Sequence, residues 1–231
     1  EIIRRDLRRH ASRAKARLLQ RYFKTGPGEY GEGDVFIGVQ VPDIRETAKR
    51  HRDAPLSAAT RLLRSRVHEE RLLALLMLVD RYDGAADPER RRLYTLYLAN
   101  TRHINNWDLV DLSAPNIVGA WLMDRSRNPL YRLARSRRLW ERRIAILATH
   151  RFIRDGDYRD ALGIAKILLN DDEDLIHKAV GWMLREVGKR NLEAEERFLK
   201  LYCQDMPRTM LRYAIERFPA SRRRDYLAGR V

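Results

Sequence analysis

Cysteine and long apolar runs are almost absent from this sequence. Cys203 is the only cysteine among 231 residues, so neither an intramolecular disulfide nor a cysteine-based zinc site can form, which fits a reducing cytosol. The longest apolar run, residues 72–79, is far shorter than the roughly 20 residues that cross a bilayer. No apolar segment follows the basic residues at the start, so no signal peptide is visible. We therefore expect a cytoplasmic protein, associated with the nucleoid in a prokaryote.

Metal-ligand patterns and strand patterns are scarce as well. The six histidines show no HxxxH spacing and no paired carboxylates, which makes a metal site improbable, and we expect no cofactor. The glycine-rich segment 26–33 lacks both a preceding strand and a Lys-Ser/Thr pair, so it is a flexible connection rather than a phosphate-binding loop. No alternating strand pattern exceeds about four residues.

Positive charge is abundant. Forty-seven Lys and Arg residues against 32 Asp and Glu residues give a formal net charge of +15. An excess of this size favours a polyanionic partner, namely DNA, RNA or an anionic membrane surface. With 44% hydrophobic and 34% charged residues, the chain has the composition of a globular protein.

Apolar residues recur at helical spacing along almost the whole sequence. The pattern predicts one helix over 2–24 and another that begins near Pro42, with Pro115 kinking the helix over 107–123. The remaining predicted helices are 55–64, 69–82, 87–99, 129–136, 140–154, 158–169, 174–190, 193–204, 208–218 and 222–227.

Five of the predicted helices share a register. A basic or aromatic residue precedes an apolar stretch at a period of about 34–36 residues, which is typical of stacked helix pairs. These positions are Arg71, Trp107, Arg143, Lys178 and Arg212. We therefore predict an all-α fold, an α-solenoid of stacked antiparallel helix pairs (HEAT-like repeats) that forms one domain over 1–231 and curves around a concave DNA-binding face.

The pair Trp107 and Asp111 stands out within this register. Side chains four residues apart share one helix face, so the indole and the carboxylate should project together. The repeat adds Arg143 and Lys178 beside Trp107, and Trp182 beside Asp111. Trp107 and Trp182 as plain core residues, with a solvated aspartate, remain the alternative.

Three segments of this sequence resemble the AlkD family of DNA alkylation-repair glycosylases. They are Asn106-Trp107-Asp108-Leu109-Val110-Asp111, Trp140 to Leu147, and His177-Lys178-Ala179-Val180-Gly181-Trp182-Met183-Leu184-Arg185-Glu186. The residues 21–24 and 36–45 extend the resemblance over nearly the whole chain. Residues 174–176 depart from close relatives, which can carry two aromatic residues there.

The resemblance implies a HEAT-like fold and a monofunctional glycosylase. The family hydrolyses the N-glycosidic bond of cationic N3- and N7-alkylated purines in duplex DNA, with no metal and without drawing the base into a pocket. Residue by residue, it implies a catalytic cleft and a set of DNA contacts. The cleft residues are Asp111, Trp107 and Trp182, and the expected DNA-binding residues are Arg143, Lys178, Arg185, Tyr22 and Arg212.

Two other classes of protein fit parts of the pattern. A non-catalytic HEAT-like protein that binds bent or branched DNA would share the fold and charge, but it need not keep Trp107, Asp111, Arg143 and Trp182 together. A protein–protein scaffold is common among α-solenoids, but the charge of +15 argues against it. We expect double-stranded DNA with alkylated purines as the partner, and a monomer without a protein partner or a membrane.

Overall fold

Helices make up every named element of the computed structural model, which describes residues 1–231. The one β-type pairing is an isolated parallel bridge between Val35 and Val67. The predicted all-α fold class is therefore confirmed. No helix is both long enough and apolar enough to span a membrane.

The chain divides into two compact units, residues 1–113 and 114–231, so a single domain over 1–231 stays a prediction. The first unit contains α1 (Ile2–Arg8), α2 (Arg13–Tyr22), α3 (Val41–Arg50), α4 (Leu56–Leu63), α5 (His68–Asp83) and α6 (Asp87–Ala99). Helix α7 (Trp107–Ala114) ends at the boundary. The second unit contains α8 (Asn128–Ala134), α9 (Leu139–Ala148), α10 (His150–Arg154), α11 (Arg159–Ile167), α12 (Asp174–Gly188), α13 (Leu192–Tyr202), α14 (Arg208–Ala214) and α15 (Ala220–Leu227).

Two of the predicted helices are interrupted at a Ser or Thr residue. The helix expected over 2–24 is wrong as one element: Ser12 adopts an extended conformation and its side chain accepts a hydrogen bond from Lys15 N, so it caps a new helix. The helix expected over 140–154 is interrupted at Thr149, whose hydroxyl donates a hydrogen bond to Ile146 O at 2.6 Å. Side chains of this type compete with the helical backbone for hydrogen bonds, which favours helix ends.

The interruption expected at Pro115 is a π-helical turn over Pro115–Gly119 that directly follows α7. Proline supplies no backbone N–H for the regular helical ladder. Gly119 is required in this turn, because a Cβ there would lie 2.3 Å from Ala148 O.

The first turn of α5 organises the first unit. The carboxylate of Glu69 accepts hydrogen bonds from the backbone N–H groups of residues 37–39 at 2.8–3.3 Å. The next carboxylate, Glu70, accepts bonds from Arg4 at 2.9 Å and Arg8 at 3.1 Å on α1. Both glutamates are buried, so their charges require these partners.

Helices α9, α12 and α14 pack side by side in the second unit. Arg143, Lys178 and Arg212 are each the fifth residue of their helix, which agrees with the predicted register. Arg71 is the fourth residue of α5 and Trp107 is the first residue of α7, so these two members depart from it. Gly181 permits the close approach of α12 and α14, because a Cβ there would lie 2.4 Å from Met210 O.

Candidate functional site

The candidate site in the first unit is built on the first turns of α7. Trp107 is the first residue of this helix and Asp111 lies one turn further along. Both side chains are half-buried. The Asn106 side chain accepts a hydrogen bond from Trp107 N at 2.8 Å, and Asp108 accepts one from Leu109 N at 2.9 Å. These bonds satisfy backbone donors that a helix start otherwise leaves without partners.

Aromatic rings surround the indole of Trp107. Phe23 stacks on it with a centroid distance of 5.1 Å and an interplanar angle of 14°. Phe36 in turn stacks on Phe23 at 5.0 Å. Tyr22 meets Trp107 edge to face at 6.0 Å and is 65% exposed. Tyr22 and Trp107, both expected in the site, therefore lie together, with one ring exposed and one half-buried.

A buried polar network lies behind these rings. Asp34, which follows the glycine-rich loop, accepts hydrogen bonds from Arg71 Nη2 at 2.7 Å and from His68 Nδ1 at 3.1 Å. The second nitrogen of His68, Nε2, contacts Asp108 Oδ2 at 2.8 Å. The Asn106 amide contacts Asp34 Oδ2 at 3.5 Å. Side chains from separate parts of the sequence thus meet around Asp34.

The electrostatics of this network favour a protonated imidazole. Burial by itself lowers the pKa of His68, but the charge and hydrogen bond of Asp108 and the hydrogen bond with Asp34 together outweigh burial, so the pKa of His68 is raised above 6.5. Burial would raise the pKa of Asp34, yet hydrogen bonds and charge from His68 and Arg71 lower it. A doubly protonated ring can donate to both carboxylates at once.

The second unit contains a comparable arrangement around Trp182. Its indole N–H donates a hydrogen bond to Glu186 Oε1 at 3.2 Å. Lys189 and Arg190 also bind the buried Glu186 carboxylate. Burial would raise the pKa of Glu186, but the Lys189 ammonium and the other donors lower it overall. The carboxylate is therefore ionised and fixes the indole edge.

The expected DNA-binding residues of the second unit differ in their surroundings. Lys178 pairs with Asp174 at 2.7 Å, and Arg185 pairs with Glu216. Arg212 is exposed on α14. Lys178, Trp182 and Arg185 occupy positions i, i+4 and i+7 of α12, so they share one helix face.

Arg143 is only 5% exposed. Its Nη1 donates a hydrogen bond to Leu175 O, which ties α9 to the start of α12. Leu175 belongs to the 174–176 segment singled out in the sequence. The role of Arg143 as a DNA contact stays a prediction.

Sequence reasoning missed several contributors to the candidate site. Asp34, His68 and Asp108 were not among the expected site residues. The available signal was weak: the charged run 68–71 directly precedes the apolar run 72–79 of the same helix. For Glu186 the signal was stronger, because it lies four residues after Trp182.

These elements define an all-helical protein of the repeat class, in which α7 begins with Trp107 and α12 carries Trp182 and Glu186 on successive turns. The chain belongs to the DNA alkylation repair enzyme family, whose model matches residues 3–218. Its role therefore lies in the repair of alkylated DNA.

Structural comparison agrees with this fold. A solved structure described as a predicted DNA alkylation repair enzyme from Enterococcus faecalis is similar with a TM-score of 0.69 and 16% sequence identity. The similarity covers 91% of this chain and 98% of that chain. At this identity the likeness shows the fold alone. No curated protein matches the sequence.

Proposed function

We propose that this protein is a monofunctional DNA glycosylase that hydrolyses the N-glycosidic bond of cationic N3- and N7-alkylated purines in duplex DNA. The observation that carries the proposal is the placement of Trp107 and Asp111 one turn apart at the start of α7, beside the exposed ring of Tyr22. Membership of the DNA alkylation repair enzyme family supports it.

The departing base does not need to be protonated by the protein. An alkylated purine already carries a positive charge, so the bond between C1′ and the purine nitrogen breaks with its electron pair passing to the base. The base leaves neutral, and the deoxyribose takes on the positive charge. Water then attacks C1′ and loses a proton, which yields an abasic site and the free base.

Asp111 is the proposed catalytic carboxylate. A fixed negative charge beside C1′ stabilises the oxocarbenium-like sugar more than the ground state, which is the requirement for catalysis. The same carboxylate can orient the attacking water and accept its proton.

Trp107 in the first unit and Trp182 in the second unit are each proposed to contact the substrate through an indole face. A cation over an indole face is stabilised by roughly 0.5–2 kcal/mol. The Phe23 stack supports Trp107, and the Glu186 hydrogen bond supports Trp182, so neither ring would need to be ordered at the moment of binding.

The basic residues are proposed to bind the phosphate backbone. Arg143, Lys178, Arg185 and Arg212, with Tyr22 beside Trp107, would fix register and orientation without reading the sequence. Reaching the sugar from outside the stack would avoid base flipping, which costs a few kcal/mol. Bulky adducts would then be tolerated, because no closed pocket has to hold the base.

The decisive experiment measures release of free base from a duplex with one N7-methylguanine. We expect Asp111→Asn to lower single-turnover release by about 10²–10³-fold, the typical effect of removing one fixed charge-stabilising group. Asp124→Asn is the matched control. It makes the same chemical change at an exposed aspartate in a turn that follows α7 and the π-helical turn.

Binding of the same duplex separates the two remaining hypotheses. The proposal is supported if the wild-type protein releases the base and the Asp111→Asn variant binds the duplex but releases less base. Tight binding by the wild-type protein with no base release above background would instead identify a non-catalytic DNA-binding protein. A single peak at the monomer mass in sedimentation would test the predicted monomer.

A further inference from the structure

Asp34 is connected to the residues that precede and follow Trp107 in the chain, Asn106 and Asp108. One connection is direct, through the Asn106 amide at 3.5 Å. The other passes through His68, whose ring contacts Asp34 at 3.1 Å and Asp108 at 2.8 Å. The residue before Trp107 and the residue after it are thus connected to one buried carboxylate.

We propose that Asp34 and His68 are positioning residues, which hold the first turn of α7 so that Trp107 and Asp111 face the substrate. This inference rests on the proposed function. The proposal also gives the glycine-rich loop over 26–33 a role, because its path places Asp34 in the interior. The loop is therefore more than the flexible connection expected from its composition.

The backbone conformation of the loop explains how Asp34 reaches the interior. Gly28 and Gly33 have φ values of +74° and +83°, a conformation that glycine adopts without the cost that other residues bear. Gly31 N donates a hydrogen bond to Lys24 O at 3.0 Å, and Asp34 N donates one to Gly31 O at 3.1 Å. The chain thereby turns back toward α2, and Asp34 becomes buried with 6% exposure.

The rings and the polar network form one assembly. The His68 imidazole stacks on Phe36 at 4.5 Å and lies 5.0 Å from Phe23. Phe23 in turn stacks on Trp107. A shift of His68 would therefore reach Trp107 by two routes, through Asp108 in the first turn of α7 and through the stacked rings.

The charges balance within this assembly. His68 faces two carboxylates, Asp34 and Asp108, and one other cation, Arg71, which binds Asp34 and Ser65 O. The pKa of His68 is raised, consistent with an imidazolium between the two acids. Neutralising Asp34 would leave two buried cations facing one carboxylate, which favours rearrangement of the network.

The experiment compares Asp34→Asn with Glu70→Gln. Glu70 is a matched control because, like Asp34, it is a buried carboxylate that binds arginine. It lies in the same first turn of α5 as His68, but its partners are on α1 and not on α7. Both variants should be measured well below their melting temperatures, with the N7-methylguanine duplex as substrate.

We expect Asp34→Asn to lower kcat by about tenfold to a hundredfold, the cost of a small misplacement of a reacting group, with the Kd for undamaged duplex within about twofold of wild type. Glu70→Gln should leave kcat within about twofold. Equal loss of kcat in both variants would overturn the proposal, because it would indicate general destabilisation.

A second readout does not depend on catalysis. In protein labelled with 5-fluorotryptophan, the ¹⁹F resonance of Trp107 can be assigned from Trp107→Phe. We expect Asp34→Asn to shift this resonance and Glu70→Gln to leave it in place. An unshifted Trp107 resonance in folded Asp34→Asn protein would overturn the positioning role, even if base release is observed.

Asp108→Asn tests the same connection from its more accessible end if Asp34→Asn fails to fold. The asparagine side chain in this variant keeps an oxygen for Leu109 N but loses the charge facing His68. A shifted Trp107 resonance supports the proposal, and an unshifted one rejects it. If wild-type protein releases no base, the glycosylase function fails, while these resonances still decide the positioning role.

Discussion

Trp182 donates its indole N–H to Glu186, which lies one helical turn further along α12. We predict that Glu186→Ala lowers base release more than Glu186→Gln does. Glutamine keeps an oxygen that accepts the indole hydrogen bond. Alanine removes this acceptor from the indole N–H and from Lys189 and Arg190, and each buried donor left without a partner costs about 1–3 kcal/mol of free energy.

Steady-state release from the N7-methylguanine duplex measures this difference. Glu193→Gln is the control, because its ion pair with Arg197 is exposed on α13 and such pairs contribute little. Equal activity of the two Glu186 variants would contradict a role in orienting Trp182.

Glu195 is predicted to make stability depend on pH. Burial, with a smaller effect from the charge of Glu196, raises the pKa of Glu195 from 4.5 to about 8. The unfolded chain therefore loses this proton at lower pH than the folded protein does. The stability that the protonated carboxyl contributes is complete below pH 4.5 and is lost as pH rises to about 8.

Denaturant unfolding between about pH 5 and 9 tests this dependence. We expect Glu195→Gln to flatten the decline of the free energy of unfolding over this range, since glutamine carries no proton to lose. Glu193→Gln, at an exposed position of the same helix, should keep the wild-type decline. Parallel curves for wild type and Glu195→Gln would rule out the effect.

Gly181 is predicted to be intolerant of a side chain. An added Cβ would lie 2.4 Å from Met210 O and 2.5 Å from Tyr213 Cβ, so α12 and α14 would have to separate. We expect Gly181→Ala to reduce the free energy of unfolding by about 1–3 kcal/mol.

The control for this substitution is Gly84→Ala, where a Cβ would meet nothing within 4 Å and φ is −87°. It should be neutral or stabilising by up to about 1 kcal/mol. Equal melting temperatures for the two variants would show that α12 and α14 can separate without loss.

DNA binding is predicted to weaken steeply with salt. A net charge of +15 and phosphate-dominated contacts imply the release of several counterions. We expect Arg212→Ala to reduce the slope of log K against log salt by about one.

Fluorescence anisotropy between low and moderate salt measures this slope. Arg197→Ala is the control, because Arg197 is exposed on α13 and paired with Glu193. An identical slope for Arg212→Ala and wild type would remove Arg212 from the DNA interface. A flat salt dependence of the wild-type protein would indicate that phosphates do not dominate binding.

The sequence determined the charge, most of the helices and the helical position that Arg143, Lys178 and Arg212 share. Helix α6 spans Asp87–Ala99 as predicted, and Arg143, Lys178 and Arg212 recur at one helical position. These features depend on periodicity and start signals within a few turns of chain, which local sequence specifies. The pairing of Trp107 with Asp111 on one helix has the same local origin.

Only the tertiary structure decided what supports that pair. His68 lies 34 residues from Asp34 and 40 residues from Asp108 along the chain, and no spacing rule connects them. Their meeting depends on how a loop, the start of α5 and the start of α7 fold together. A buried carboxylate takes whichever donors the fold brings within reach, so its partners follow from packing rather than from local sequence.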